Sequence, residues 1–175
     1  YDTGNDFFAQ FLDPAMVYSC AHFLRPTESL EEAQRRKLDL VCRKLRLVPE
    51  MRLLDVGCGW GALVIHAAQE YGVRATGITL SGEQAAEARR RTEEAGVAGR
   101  VEILERDYRE LSGEYDAIAS IGMVEHVGRK ELVNYFEELC KLLVPGGQIL
   151  NHGIVTRDRK VRRVTPTFVN TYVFP

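Results

Sequence analysis

Two hydrophobic periods alternate along the chain, and that alternation predicts the architecture. Short apolar runs at 51–56, 74–79, 101–105 and 115–121 lack helical spacing and are bounded by Gly, Pro or Asp, so they read as buried strands. Between them the apolar residues fall three and four apart. Leu30, Ala33, Leu38, Val41 and Leu45 form the first such stripe, with Arg35, Arg36, Lys37 and Lys44 elsewhere on the wheel. Ser29 with Glu32 is a capping-box pattern that starts this helix, and Pro49 follows its expected end near Leu47. Further helices are predicted over 62–71, stopped by Gly72, over 82–95, stopped by Gly96, and over 130–143. Pro145-Gly146-Gly147 turns the chain into a last strand expected over 148–155.

Repeated strand–helix–strand units imply an α/β fold with a mostly parallel sheet, helices on both faces and right-handed crossovers. The pattern shows no internal repeat, and residues 1–175 read as one domain with an α/β core over 27–175. The preceding stretch, 1–26, is dense in aromatics (Tyr1, Phe7, Phe8, Phe11, Tyr18, Phe23) and reads as a lid or as a helix docked on the core. Ligands of such sheets bind outside the carboxyl ends of the strands. The segments that fall there are 57–61, 79–81, 107–109, 122–126 and 151–154.

Composition narrows the classes. With 45% apolar and 27% charged residues and a net charge of −2, the chain has no basic excess with which to hold nucleic acid. One local exception, residues 156–164, carries Arg157, Arg159, Lys160, Arg162 and Arg163, and suits either a solvated loop or phosphate headgroups. Cys20, Cys42, Cys58 and Cys140 are far apart and lack metal-ligand spacing, so no metal is expected and a reducing, cytoplasmic setting is the default. No signal peptide or spanning segment is visible, which leaves a peripheral contact at the inner membrane surface open.

The chemistry centres on Asp55-Val56-Gly57-Cys58-Gly59-Trp60-Gly61, where a strand ends, three glycines alternate and a helix opens. Such a turn lets backbone N–H groups approach a nucleotide-like ligand, with Asp55 placed to accept hydrogen bonds. The dinucleotide fingerprint is absent. The end of the second strand, Gly77-Ile78-Thr79-Leu80-Ser81 with Gln84, lacks the carboxylate that holds a ribose in dehydrogenases, and no Gly-Lys-Ser/Thr is present. Asp107 can either accept from an adenine amino group or cap the turn it begins.

Taken together, these pieces resemble the cyclopropane-fatty-acyl-phospholipid synthase and mycolic acid cyclopropane synthase family of S-adenosylmethionine-dependent methyltransferases, whose fold is the Rossmann-like class I type. The resemblance rests on Tyr1 to Phe8, Tyr18-Ser19-Cys20-Ala21, Ala33-Gln34, the glycine loop, Thr79-Leu80-Ser81 with Gln84, Asp107-Tyr108-Arg109, and Ser120-Ile121-Gly122-Met123-Val124-Glu125-His126-Val127-Gly128. It implies that Tyr18, Ser19, Asp55, Gly57, Gly59, Gly61, Thr79, Ser81, Gln84, Asp107, Tyr108 and Arg109 bind S-adenosyl-L-methionine. It also implies a bicarbonate ion as base, held by Glu125, His152 and the backbones of Cys20, Ile121 and Ile154, so that Glu125, His152 and Cys20 form the catalytic group.

The implied reaction adds a methylene to the cis double bond of an unsaturated acyl chain in a phospholipid or related lipid, giving a cyclopropane. Departures from the family pattern are Val124, where Phe is usual, and Asn151-His152-Gly153-Ile154 in place of Leu-His-Thr-Ile. The ending, Asn170 to Pro175, stops where family members continue, so the chain reads as a catalytic-core fragment without the C-terminal strands. Two other readings are a small-amine N-methyltransferase, which shares Tyr-Ser-Cys and a Glu-His pair, and a cofactor-binding module without activity.

Overall fold

The structure is a computed structural model that describes residues 4–155. The basic stretch at 156–164 and the Asn170–Pro175 ending lie outside the described residues, as does the start of the first family segment.

Among the described residues, five parallel strands form one sheet in the order β3-β2-β1-β4-β5: β1 (Arg52–Val56), β2 (Arg74–Thr79), β3 (Val101–Glu105), β4 (Tyr115–Ile121) and β5 (Leu143–His152). Every neighbouring pair is parallel, as the strand–helix alternation predicts. The helices are α1 (Asn5–Ala9), α2 (Leu30–Lys44), α3 (Ala62–Tyr71), α4 (Gly82–Glu94) and α5 (Leu132–Lys141). Each long helix starts where local chemistry dictates. In α2 the Ser29 side chain accepts from the Glu32 N–H while the Glu32 carboxylate accepts from the Ser29 N–H. In α4 the Ser81 hydroxyl accepts from the Gln84 N–H.

The core divides by sheet face. Leu53, Ala75, Ile103, Ala117 and Ala119 pack with Leu38 and Val41 of α2, Leu63, Val64 and Ala67 of α3, and Ala85 and Ala88 of α4. Their strand neighbours Leu54, Val56, Ile78 and Ile118 face the other way, against Tyr135 and Leu139 of α5. The alternation of adjacent residues between faces is the two-residue period of a strand. Right-handed crossovers explain the division. The chain steps outward through β1, β2 and β3 with α3 and α4 on one face, then returns to the far side of β1 through β4 and β5 with α5 on the other. That reversal puts the crevice between the carboxyl ends of β1 and β4.

Helix α5 is two residues shorter at each end than the sequence reading, α2 stops at Lys44 rather than near Leu47, and both ends of the last strand differ. The last strand begins at Leu143, which pairs with Tyr115, and the ladder resumes only at Gln148 opposite Ala117, so Pro145-Gly146-Gly147 bulges from the strand rather than preceding it. The same strand ends at His152, not at Val155. Its last carbonyl bond is from the Gly122 N–H, and the Ile154 N–H turns aside to the Glu125 carboxylate. No helix among the described residues is long and apolar enough to cross a membrane.

Candidate active site

The crevice holds a cavity of roughly 340 Å³. Its floor is the turn after β1. Asp55, Gly57 and Gly59 line it, and Gly59 has a φ of +54° that a side chain tolerates poorly. A Cβ built on Gly59 would meet no protein atom within 4 Å, so the glycine leaves free room beside the cavity for a ligand. Gly61 does not line the cavity. It caps α3, and a Cβ there would press on Ala88 of α4 at 3.2 Å, so its place is in helix packing.

The second wall comes from the ends of β2 and β3. Thr79 and Gln84 are buried and joined by a 2.7 Å hydrogen bond from the Thr79 hydroxyl to Gln84 Oε1, and the Ser81 N–H donates to Thr79 Oγ1. This small network fixes three of the predicted ligand residues against one another. Asp107 and Tyr108 also reach the cavity. Arg109 does not: it forks onto Asp107, with Nε to Oδ1 at 2.9 Å and Nη2 to Oδ2 at 2.6 Å, while its guanidinium lies over the Tyr108 ring. Asp107 also accepts from the Arg109 N–H, which realises the turn-capping role. The Arg109 side chain holds the Asp107 carboxyl below its ordinary range.

The third wall is the segment Met16 to Ser19, held by α2 and by the N-terminal aromatics. Asp13 caps it by accepting from the N–H groups of Ala15 and Val17. Gln34, buried on α2, donates from Nε2 to the carbonyls of Val17 and Ser19, the latter at 2.8 Å. Phe8 packs on Trp60 and Tyr18, and Trp60 Nε1 donates to Asn5 Oδ1, which ties α1 to the glycine turn.

Lys37 is the residue the sequence reading missed. It is only 7% exposed, it lines the cavity, and its Nζ donates to Ser19 Oγ at 2.8 Å. The signal was present in the wheel: position 37 lies four residues after Ala33 and four before Val41, inside the apolar stripe. Burial lowers its pKa to about 8, against the opposing pull of Asp55, Cys20 and Asp13. Burial likewise raises Asp55 to about 7, against the pull of Lys37. Met123, Arg106 and His126 are further lining residues that sequence reasoning had not assigned to the ligand.

Beside this cavity lies a smaller constellation. Cys20 Sγ and His152 Nε2 are 3.5 Å apart, and Glu125 Oε1 accepts from the Ile154 N–H at 2.6 Å. The structure therefore gathers four of the five predicted anion ligands into two contacting pairs, from the loop before α2, the 3-10 turn Val124–His126 and the end of β5. Ile121, the fifth, ends β4 opposite His152 in the ladder. Glu125 Oε2 and His152 Nδ1 are buried with no hydrogen-bond partner among the described residues. Buried polar atoms of this kind require partners. An acceptor from Glu125 and the open nitrogen of His152 fit a small protonated oxyanion such as bicarbonate, which both donates and accepts.

All 175 residues match the family profile described as mycolic acid cyclopropane synthetase. The cyclopropane-fatty-acyl-phospholipid synthase of Escherichia coli (strain K12) is 44% identical over 175 residues, covering 100% of this chain and 44% of that protein. The structure of the cyclopropane synthase MmaA2 from Mycobacterium tuberculosis superposes with a TM-score of 0.84 at 42% identity, covering 87% of this chain and 54% of that one. The crystal structure of mycolic acid cyclopropane synthase CmaA1 complexed with SAH and CTAB gives a TM-score of 0.81 at 39% identity, covering 86% and 53%. The chain thus spans about half the length of these relatives.

Proposed function

The chain belongs to the mycolic acid cyclopropane synthetase family, and from that premise we propose that it is the cofactor-binding and catalytic core of an S-adenosylmethionine-dependent enzyme that adds a methylene to the cis double bond of an unsaturated lipid acyl chain. The observation that carries the reading is a glycine-floored cavity together with two buried polar atoms left without partners among the described residues, Glu125 Oε2 and His152 Nδ1. When bound, the cofactor supplies a sulfonium methyl for the alkene's π electrons, and bicarbonate supplies the base for the proton that ring closure releases.

The residues divide that work. The glycine turn gives backbone room, and Thr79, Ser81 and Gln84 form a prearranged polar wall for the adenosine end. Tyr18, held at the cavity by Phe8 and by Gln34's grip on its neighbours, offers a π face to a sulfonium. Glu125 and His152 would hold the anion, with His152 oriented by Cys20 and Glu125 oriented by the Ile154 N–H. Two like charges cannot sit side by side unaided, so the Glu125 site needs a shared proton or the His152 donor to offset them. Cys20 acts here as a positioning group, since carbon methylation needs no covalent enzyme intermediate.

The test uses the protein extended to the length of its relatives. Calorimetry with S-adenosylhomocysteine should give one site, and vesicles of unsaturated phospholipid should yield a product heavier by CH2 that has lost its alkene. Glu125→Gln should keep cofactor affinity within about threefold and lower ring formation by about a hundredfold or more, the scale of a lost general-base function. Undiminished product in the variant would remove Glu125 from the chemistry. Turnover on small amines alone would replace the lipid reading with N-methylation.

A further inference from the structure

Among the described residues, Lys37 is a buried cation that sits where folding alone would favour an apolar side chain. It lies on the inward face of α2, between Gln34 and Leu38, where an apolar residue would pack at lower cost. Its ammonium has three donors. One goes to Ser19 Oγ, and among the described residues no carboxylate forms an ion pair with it. Asp55, buried on the same cavity wall, stands outside salt-bridge range. A cation more than nine-tenths buried, with donors unspent and a cavity in front of it, is arranged for an anion that arrives from outside.

The reading of the cavity as an S-adenosylmethionine site, on which this inference rests, leaves one candidate for that anion. The ligand has an adenosine end, a sulfonium and an amino-acid tail, and its one anionic group is the α-carboxylate. The other cation on the wall, Arg106, is exposed at the end of β3, beside the segment that the adenine end would meet. Lys37 stands instead beside the Tyr18-Ser19 segment and Asp55, whose carboxylate complements the tail's ammonium. We infer that Lys37 anchors the α-carboxylate of the cofactor, and that by holding Ser19 at the same time it couples the amino-acid end of the ligand to the segment that covers it. Lys37 is then a specificity residue: it distinguishes the amino-acid-bearing ligand from nucleosides that lack the tail.

The experiment compares two ligands that differ only in the carboxylate, S-adenosylhomocysteine and its decarboxylated analogue, by calorimetry on the wild type, Lys37→Met and Lys37→Gln. The wild type should prefer S-adenosylhomocysteine by about tenfold or more, the scale of one charge-assisted hydrogen bond. Both variants should bind the two ligands alike, and should keep the wild-type affinity for the decarboxylated analogue within about threefold. The glutamine variant carries the test if the methionine variant does not fold. Variants that retain the wild-type preference would show that the carboxylate is held elsewhere, for example by the N–H groups of the glycine turn, and overturn the inference. An equal loss for both ligands would assign Lys37 a merely structural part and do the same. A wild type that binds both ligands equally defeats the Lys37 anchor while leaving the cofactor cavity standing; one that binds neither defeats the cofactor reading itself.

Discussion

At the scale of single residues, the site keeps one carboxylate where folding alone would not. Asp55 sits in the central strand with its carboxyl raised to about 7 by burial. Its folded pKa lies above the unfolded value of about 3.9, so the folded state favours the protonated acid. Its contribution to stability is therefore full below about pH 4 and falls as pH rises toward 7, where the charge is forced into a poorly solvated place. Asp55→Asn removes that burden. In thermal melts without ligand, the advantage of the variant over the wild type should grow by about 3 °C or more between pH 5 and pH 8, the shift that ~1 kcal/mol produces in a chain of this size. A difference that does not change with pH would mean that Asp55 carries no such penalty. The residue scale is also where sequence reading was most uneven. Thr79, Ser81 and Gln84 were legible because a strand end, a cap and the next helical turn fix them locally. Lys37 was not, because its charge suggested solvent while its spacing placed it in the stripe. Arg109 and Gly61 belong to legible segments, yet short-range geometry turns one onto Asp107 and the other onto Ala88.

Among the elements, the two that carry Glu125 and His152 meet at a contact the sequence hinted at without explaining. Val124 and Gly153, two of the three positions flanking these residues at which the chain departs from the family pattern (Asn151 is the third), lie against one another. A Cβ on Gly153 would fall inside contact distance of Val124 Cγ1 and 3.6 Å from Glu125 Oε2. A small residue at 153 and a compact one at 124 thus form a matched pair that sets the approach of the end of β5 to the 3-10 turn. Gly153→Thr, which restores the residue usual in the family, should cost about 1–3 kcal/mol through overpacking and lower turnover while sparing S-adenosylhomocysteine affinity. Adding Val124→Ala should recover at least about half of both losses, a coupling that a double-mutant cycle reads directly. Strictly additive losses would show that the two positions act apart. The elements themselves were almost all legible from periodicity. The largest departures were at the two ends of β5, where a bulge in the ladder and a backbone bond to a side chain override local pattern, and neither leaves a trace in hydrophobic spacing.

Across the whole molecule, the arrangement separates a cavity built early in the chain from a strand, β5, that has a neighbour on one side only among the described residues. The lining residues run from Met16 to His126, and they come from strands β1, β2 and β4, each of which has two neighbours, and from the segments around them. By contrast β5 pairs with β4 alone among the described residues, and none of its ten residues is buried, whereas four of β4 are. That parallel topology was predictable, since alternating strands and helices permit little else. Which strand would be left at the edge was not, because order in a sheet is a long-range property. An edge strand opens more easily than a central one, so the two halves of the site should differ in local stability. In hydrogen exchange on this 175-residue chain, the amides of Leu143–His152 that bond within the sheet should exchange at least about tenfold faster than those of Arg52–Val56. Saturating S-adenosylhomocysteine should slow exchange around the glycine turn and leave β5 nearly unchanged, because the ligand touches the strands inside the edge. Equal protection of β5 and β1 without ligand would place the edge elsewhere. Strong protection of β5 by the cofactor would mean that the cavity and the Glu125–His152 constellation open and close as one unit.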